Sequence, residues 1–346
     1  MKISSACLTG KNNQRKGWEA QDCVKILNTP YVSSIAIADG ASSAEHSREG
    51  AVVNVETWTN FVQKSYPWEF QSEDNFREHT TLLNEINAQF EKMPYEKPHL
   101  SATLAGVAVR NDNRVLITSI GDGFVIGFDR NLDPNILIYP YHIGKTTRTC
   151  FTCQPAEAQK TMQLLIGTTH DCLRMADEVI TGFAVFSDGA DYLVEHLLHG
   201  GELLRQLAAY TVSGQQDFAS RLVRMISENY SYDDISIACM MMESNDVLEL
   251  SKTIIEEAEK NSSVSLDAEA AAPVQAEPDF SEVYPFYRPV LQGLYLKPMT
   301  HEELEENGYC LPGKVMEMLL PLMQNEIVEF RDNQFRLSDK FAPSET

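Results

Sequence analysis

The chain has 346 residues, 43% of them hydrophobic and 23% charged, with a formal net charge of −22. This is enough to bury one full core and leave length for a second, smaller unit. The acidic field repels phosphate backbones and anionic lipid, which argues against nucleic-acid and membrane-surface binding. No stretch approaches the roughly 20 apolar residues of a membrane span. Seven scattered cysteines, with no secretory segment ahead of them, point to a reduced, cytoplasmic setting.

Taken in chain order, the strongest strand signals are short runs rich in β-branched residues that end at Gly or Asp. They cover Ser34 to Ala38, Leu104 to Arg110, Arg114 to Ile120, Phe124 to Phe128, Phe183 to Phe186 and Ile235 to Met242. Asn111, Asp112 and Asn113 form a hairpin turn between two of these runs, so the strands are expected to be antiparallel neighbours. Helical spacing recurs over Ala51 to Val62, Phe76 to Phe90 and Leu203 to Ile226. Strands and helices are grouped rather than alternating, which predicts an α+β layered domain.

Beyond Met242, Val247, Leu248, Leu250, Ile254 and Ile255 line one face of a helix ending near Lys260. Asn261 to Pro278 is too poor in large apolar residues to fold alone and reads as a flexible acidic linker. The expected organisation is therefore a domain over 1–243, a helix and linker over 244–279, and a small unit over 280–346. In that last unit an apolar helix follows Phe280, and Thr300 with Glu303 forms a capping box for Glu302 to Glu306. A third helix starts at Pro312, and a hairpin turns at Asp332-Asn333. Three helices and a hairpin resemble a small winged-helix domain. Its third helix has Lys314 as its only basic residue, so protein contact or control is expected there rather than DNA binding.

Carboxylates recur in one context, the edge of a hydrophobic strand. Ala36-Ile-Ala-Asp39-Gly40 and Val185-Phe-Ser-Asp188-Gly189 run from a strand into Asp-Gly, while Asp22 and Asp233-Asp234 open strands. A single Asp-Gly is ordinarily a turn. Several strand-end carboxylates in one domain repel one another and have raised pKa values unless a cation is bound. Oxygen ligands from Asp and a glycine carbonyl suit magnesium or manganese.

The ordered motifs Gln21-Asp22, Ile37-Ala-Asp39-Gly40, Ser101-Ala-Thr-Leu104, Ile120-Gly-Asp122-Gly123, Phe186-Ser-Asp188-Gly189 and Asp233-Asp234-Ile-Ser resemble those of the type 2C (PPM) protein serine/threonine phosphatases. The resemblance covers roughly residues 1 to 243, and Gln-Asp in the first motif matches a bacterial-like subfamily. It implies a four-layer α-β-β-α sandwich with two Mn2+ or Mg2+ ions at one end. Asp39 would bridge them, Asp188 and Asp233 would complete one, the Gly40 carbonyl would help hold the other, and Asp22 would lie at the same cluster. Asp122 would serve a third metal. A water activated by two cations would then be the nucleophile, with no catalytic side chain required. Phosphorylated protein would be the substrate and a cognate Ser/Thr kinase a partner.

Two positions depart from the pattern. Gln21 stands where many relatives have a glutamate, and Gly17 where many have an arginine that grips the substrate phosphate. Arg15 and Lys16 are the nearby candidates for substrate binding. These departures motivate the alternatives of a pseudophosphatase scaffold or of a regulator acting through the C-terminal unit. Ser42, Ser43, His46 and Ser47 lack a third group to orient the histidine and read as a helix start. His142 and His170 are proton-transfer candidates by residue type alone. Cys150 and Cys153 read as ordinary cysteines, since no second pair completes a zinc site.

Overall fold

The computed structural model describes residues 1–65, 75–138, 149–170, 179–195, 197–262, Val290, Leu294, 298–306, 315–324, 327–331 and 333–338. Two five-stranded sheets face each other. One runs, in spatial order, through Cys23–Asn28 (β2), Val32–Ala38 (β3), Leu104–Arg110 (β4), Arg114–Ile120 (β5) and Gln163–Thr168 (β8). The other runs through Lys2–Leu8 (β1), Ile235–Met241 (β10), Gly182–Phe186 (β9), Phe124–Phe128 (β6) and Pro134–Ile138 (β7). Every pairing within them is antiparallel.

Strand periodicity explains the layers. In β3 the residues Ile35 and Ile37 point between the sheets, where they meet Val107, Val109 and Ile117 of the same sheet and Val125, Val185 and Met240 of the opposite one. Ala36 and Ala38 point the other way, toward Trp58 and Phe61 of helix α2 (Ser47–Ser65). Helix α3 (Asn75–Phe90) packs beside α2, with the short α4 (Pro155–Thr161) against α3, and the short α5 (Tyr192–Glu195) follows later in the chain. On the outer face of the other sheet lie α6 (Leu197–Val212) and α7 (Asp217–Asn229), with α8 (Asn245–Ser262) against α6. The result is the expected four-layer α-β-β-α sandwich. Covered on both sides, β3 and β10 are buried along their whole length rather than at alternate residues, and their few polar residues are serines.

The six strand segments read from the sequence are present, and the Asn113 turn takes a left-handed φ of 65°. The helical spacing from Leu203 to Ile226 is realised as two helices. Gly214, at φ 82°, bonds its N–H to the Thr211 carbonyl and breaks the axis between α6 and α7. Strands β1, β7 and β8, which the apolar pattern did not mark, are all sheet edges.

In the C-terminal part, Thr300 and Glu303 do form a capping box. The Thr300 N–H donates to Glu303 Oε2 at 2.9 Å and the Glu303 N–H to Thr300 Oγ1 at 3.2 Å, opening α9 (His301–Glu306). Helix α10 (Val315–Gln324) and the hairpin β11 (Val328–Arg331) to β12 (Gln334–Leu337) follow, with Asn333 left-handed at φ 62°. Leu304, Leu319, Leu322 and Phe335 join the apolar cluster that covers the outer face of the β1-side sheet. The expected linker and most of the helix expected after Phe280 lie outside the described residues.

Candidate metal centre

Antiparallel register gathers the strand-end aspartates. Cys23 pairs with Ala38, so Asp22 and Asp39 both lie one residue beyond that rung. Leu104 pairs with Ile120, which sets Thr103 beside the Gly121-Asp122 turn. Phe186 pairs with both Phe124 and, one step in, Ile237, so the Ser187-Asp188 segment lies between Asp122 and the Asp233-Asp234 pair. Gly189 is required at that junction. A Cβ there would stand 2.0 Å from the Asp234 carbonyl oxygen, so only glycine lets the two segments touch.

One carboxylate oxygen each from Asp39, Asp122 and Asp188 lie within 4.8 Å of one another. Asp233 is exposed and outside this close group, although Asp188 still acts on it electrostatically. Asp22 is buried, with Asp39 among the groups that face it. Gly40 is buried and bridges Ala102 of the Ser101–Leu104 motif. Thr103 fixes Asp39 from both sides, because its Oγ1 accepts the Asp39 N–H at 3.0 Å while its own N–H donates to the Asp39 carbonyl at 2.8 Å.

These carboxyl groups are under electrostatic stress. Both oxygens of Asp22 and one each of Asp122 and Asp188 are buried with no hydrogen-bond partner of good geometry among the described residues. Burial raises Asp22 to about 7; nearby Asp39, Ser236 and Ser187 offset part of the rise and the Asp234 charge adds to it. Asp122 also rises to about 7 through burial and then the Asp188 charge. Asp39 is held well above the ordinary carboxylate range by burial and by the charges of Asp22, Asp188 and Asp122. Asp233, although its residue is exposed, is raised by partial desolvation of its carboxylate and by the Asp188 charge, while the Asp234 N–H and Lys16 pull it down. Unpaired, converging, all-oxygen donors fit a hard divalent cation, whose charge would remove that stress.

Asp234 is the residue that sequence reasoning undervalued. It is buried, and it accepts the Gly10 N–H at 2.6 Å, the Gln21 N–H at 2.6 Å and the Asn13 amide at 2.9 Å. The chain thereby ties its first loop to its last core strand across more than two hundred residues. Only the doubled Asp-Asp hinted at a second role.

The two departures acquire structural reasons. Gly17 caps helix α1 (Lys11–Lys16) at φ 70°, its N–H bonding to the Asn13 and Gln14 carbonyls, so the backbone conformation disfavours any longer side chain there. Gln21 is buried with its Oε1 facing the Asn13 amide at 3.4 Å, and a neutral side chain avoids adding an anion beside Asp234. Arg15 and Lys16 are exposed at the end of α1, the guanidinium 5.8 Å from the Tyr232 ring centroid and the ammonium 4.4 Å from that of Trp18.

His46 stacks on Tyr95 at 3.6 Å and lies 3.7 Å from Glu49, just ahead of α2, the helix start that was expected. His170 is exposed with its N–H on Thr168 Oγ1, and His142 lies outside the described residues. Cys150 and Cys153 are free thiols, the second 3.3 Å from Ser101 Oγ.

A family model described as protein phosphatase 2C matches residues 9–229. The chain belongs to the protein phosphatase 2C family, and it is a phosphoprotein phosphatase of that metal-dependent class. No curated protein matches the sequence. Among solved structures, a serine/threonine phosphatase from S. agalactiae is 13% identical with a TM-score of 0.52, over 70% of this chain and 99% of that one. A serine/threonine phosphatase from Staphylococcus aureus is 12% identical with a TM-score of 0.50, over 70% and 96%. A sex-determining protein from C. elegans is 15% identical with a TM-score of 0.50, over 72% and 67%. At such identities the likeness is one of fold. Among the described residues no helix is long and apolar enough to cross a membrane.

Proposed function

We propose that the chain hydrolyses phosphoserine and phosphothreonine in proteins at the centre formed by Asp22, Asp39, Gly40, Asp122, Asp188 and Asp233. The observation that carries this is the close group of Asp39, Asp122 and Asp188, in which one buried oxygen each of Asp122 and Asp188 has no hydrogen-bond partner among the described residues. Two Mn2+ or Mg2+ ions would be held there, with Asp122 toward a third. When bound, such ions supply Lewis acidity and lower the pKa of water toward neutrality.

The protein's own part is positioning. Thr103 holds the Asp39 backbone from both sides, so its carboxylate is set before substrate arrives. Asp234 fixes the loop carrying Gln21 and Asp22 against the start of β10. Arg15 and Lys16 attract the anionic substrate from the rim. Hydrolysis adds water across the phosphoester, releasing the side-chain hydroxyl and inorganic phosphate.

A cognate Ser/Thr kinase and a cytoplasmic setting complete the reading. The C-terminal unit over 280–346, set off from the 1–243 domain by the segment 244–279, is proposed as a winged-helix-like interaction or regulatory module. Its capping box and hairpin support that assignment.

The test is hydrolysis of an aryl phosphate and of phosphoserine and phosphothreonine peptides with Mn2+ or Mg2+. Turnover should require the cation and disappear in Asp188→Asn. A folded, cation-loaded protein without turnover would overturn the assignment in favour of a binding scaffold.

A further inference from the structure

Helix α1 concentrates positive charge in a chain whose net charge is −22. Elsewhere on the surface cations tend to sit beside carboxylates, as in Lys2 with Glu243, Arg48 with Glu19 and Arg110 with Asp112. Among the described residues, no carboxylate lies within 4.0 Å of Lys11, Arg15 or Lys16. Lys11 instead donates to the Glu228 carbonyl at 3.0 Å.

The three cations lie over exposed aromatic rings. Lys11 Nζ is 5.0 Å and Arg15 Cζ 5.8 Å from the Tyr232 centroid, and Lys16 Nζ is 4.4 Å from that of Trp18. Tyr232 is 58% exposed and Trp18 49%, so two large rings stay in water at one place. Basic residues in a last helical turn complement the helix dipole, which accounts for Arg15 and Lys16. It does not account for Lys11, which opens the helix, where a cation is disfavoured. Lys11 and Arg15 also stand four residues apart on one helical face, where like charges repel. An arrangement held against its own repulsion is relieved by an anion.

This patch borders the centre. The Asn12 N–H donates to the Tyr232 carbonyl at 3.1 Å, the Asn13 amide holds Asp234, and Tyr232 directly precedes Asp233. The body of the protein repels acidic ligands, and a local cationic lane at the rim would draw an anionic segment to one place.

We propose that Lys11, Arg15 and Lys16, braced on Tyr232 and Trp18, form a docking rim that selects phosphoproteins with acidic residues beside the phosphorylated serine or threonine. The proposal rests on the hydrolytic assignment above. The cations would meet the flanking carboxylates, and the rings would pack against the peptide between them.

The experiment compares three synthetic phosphopeptides that differ only in flanking residues, acidic, neutral or basic, together with p-nitrophenyl phosphate, which has no flank. At low salt kcat/KM should be about fivefold higher for the acidic than for the neutral peptide, through KM, since exposed ion pairs add little each. The preference should shrink above about 0.15 M salt, where the Debye length is about 8 Å. Lys11→Glu combined with Arg15→Glu should invert the acidic-to-basic ratio. That ratio is taken within one protein, so any general loss of activity cancels. Lys11→Ala alone should lower it about twofold.

Equal rates on all three peptides, or a preference for the basic one as the net charge alone would give, overturns the proposal. So does a ratio unmoved by the substitutions. Absence of p-nitrophenyl phosphate turnover in the unaltered chain overturns the hydrolytic assignment itself, whereas turnover without flank preference overturns only the docking rim.

Discussion

Two carboxylates at the same end of the sandwich, Asp22 and Asp234, are both buried, yet their surroundings are opposite. Asp234 accepts three N–H donors, whereas among the described residues neither oxygen of Asp22 has a hydrogen-bond partner of good geometry. Burial pushes Asp22 up to about 7, even though Asp39, Ser236 and Ser187 nearby oppose the rise. The contrast separates a carboxylate that holds the fold together from one whose surroundings suit the metal role proposed for it. Burial alone treats the two alike, and hydrogen-bond accounting tells them apart.

The largest expected effect lies on the satisfied side. Asp234→Ala removes the acceptor of the Gly10 and Gln21 N–H groups and the Asn13 amide in one step. Each donor left buried and unpaired costs about 1–3 kcal/mol, so chemical denaturation should show a loss of about 3–5 kcal/mol. A loss below about 1 kcal/mol would erase the distinction.

On the unsatisfied side the sign reverses. Asp39→Asn should lower turnover at least about 100-fold, the upper end of what even outer-shell partners of a metal contribute. The same substitution should stabilise the cation-free protein, because it removes a carboxyl group whose ionisation burial and the charges of Asp22, Asp188 and Asp122 oppose. The pH dependence follows from the same groups. Asp22 and Asp122 hold protons up to about 7 when folded, against an ordinary value of 3.8. Between those values the folded chain binds more protons than the unfolded one. Cation-free stability must therefore fall as pH rises from about 4 through 7. Mn2+ at about 100 times its Kd should return about 2.7 kcal/mol at pH 8 and less at pH 5. Thermal melts with and without the ion measure both slopes, and a flat cation-free profile would contradict the stressed cluster.

How much of this was legible in the sequence varies with burial. Strands β3, β4, β5, β6, β9 and β10 announce themselves because both faces are covered, so β-branched runs end sharply at Gly or Asp. Strands β1, β7 and β8 are edges, with one side unpaired and residues such as Ser4, Ser5, Pro134 and Asn135 diluting the pattern. At the site, the aspartates could be proposed from their strand-end setting and motif order. The clamp made by Asp234 could not, because its partners Gly10 and Asn13 lie at the far end of the chain. Nor could the reason for Gly17, which requires knowing that a six-residue helix ends there in a left-handed turn.

Gln21 sits on the boundary between the two kinds of carboxylate environment, which makes it the finest probe of the contrast. Its backbone N–H belongs to the Asp234 clamp and its side-chain oxygen faces the Asn13 amide, while the next residue is Asp22. Gln21→Glu keeps shape and an acceptor toward Asn13, and so should leave the clamp intact. It adds one buried anion between Asp234 and the unsatisfied cluster, a position already unfavourable to charge. The cation-free variant should therefore lose about 1 kcal/mol at pH 8, less than that at pH 5, and recover it when Mn2+ is added. Equal losses at both pH values, unaffected by the ion, would place Gln21 wholly within the structural clamp and move the boundary of the metal centre to Asp22.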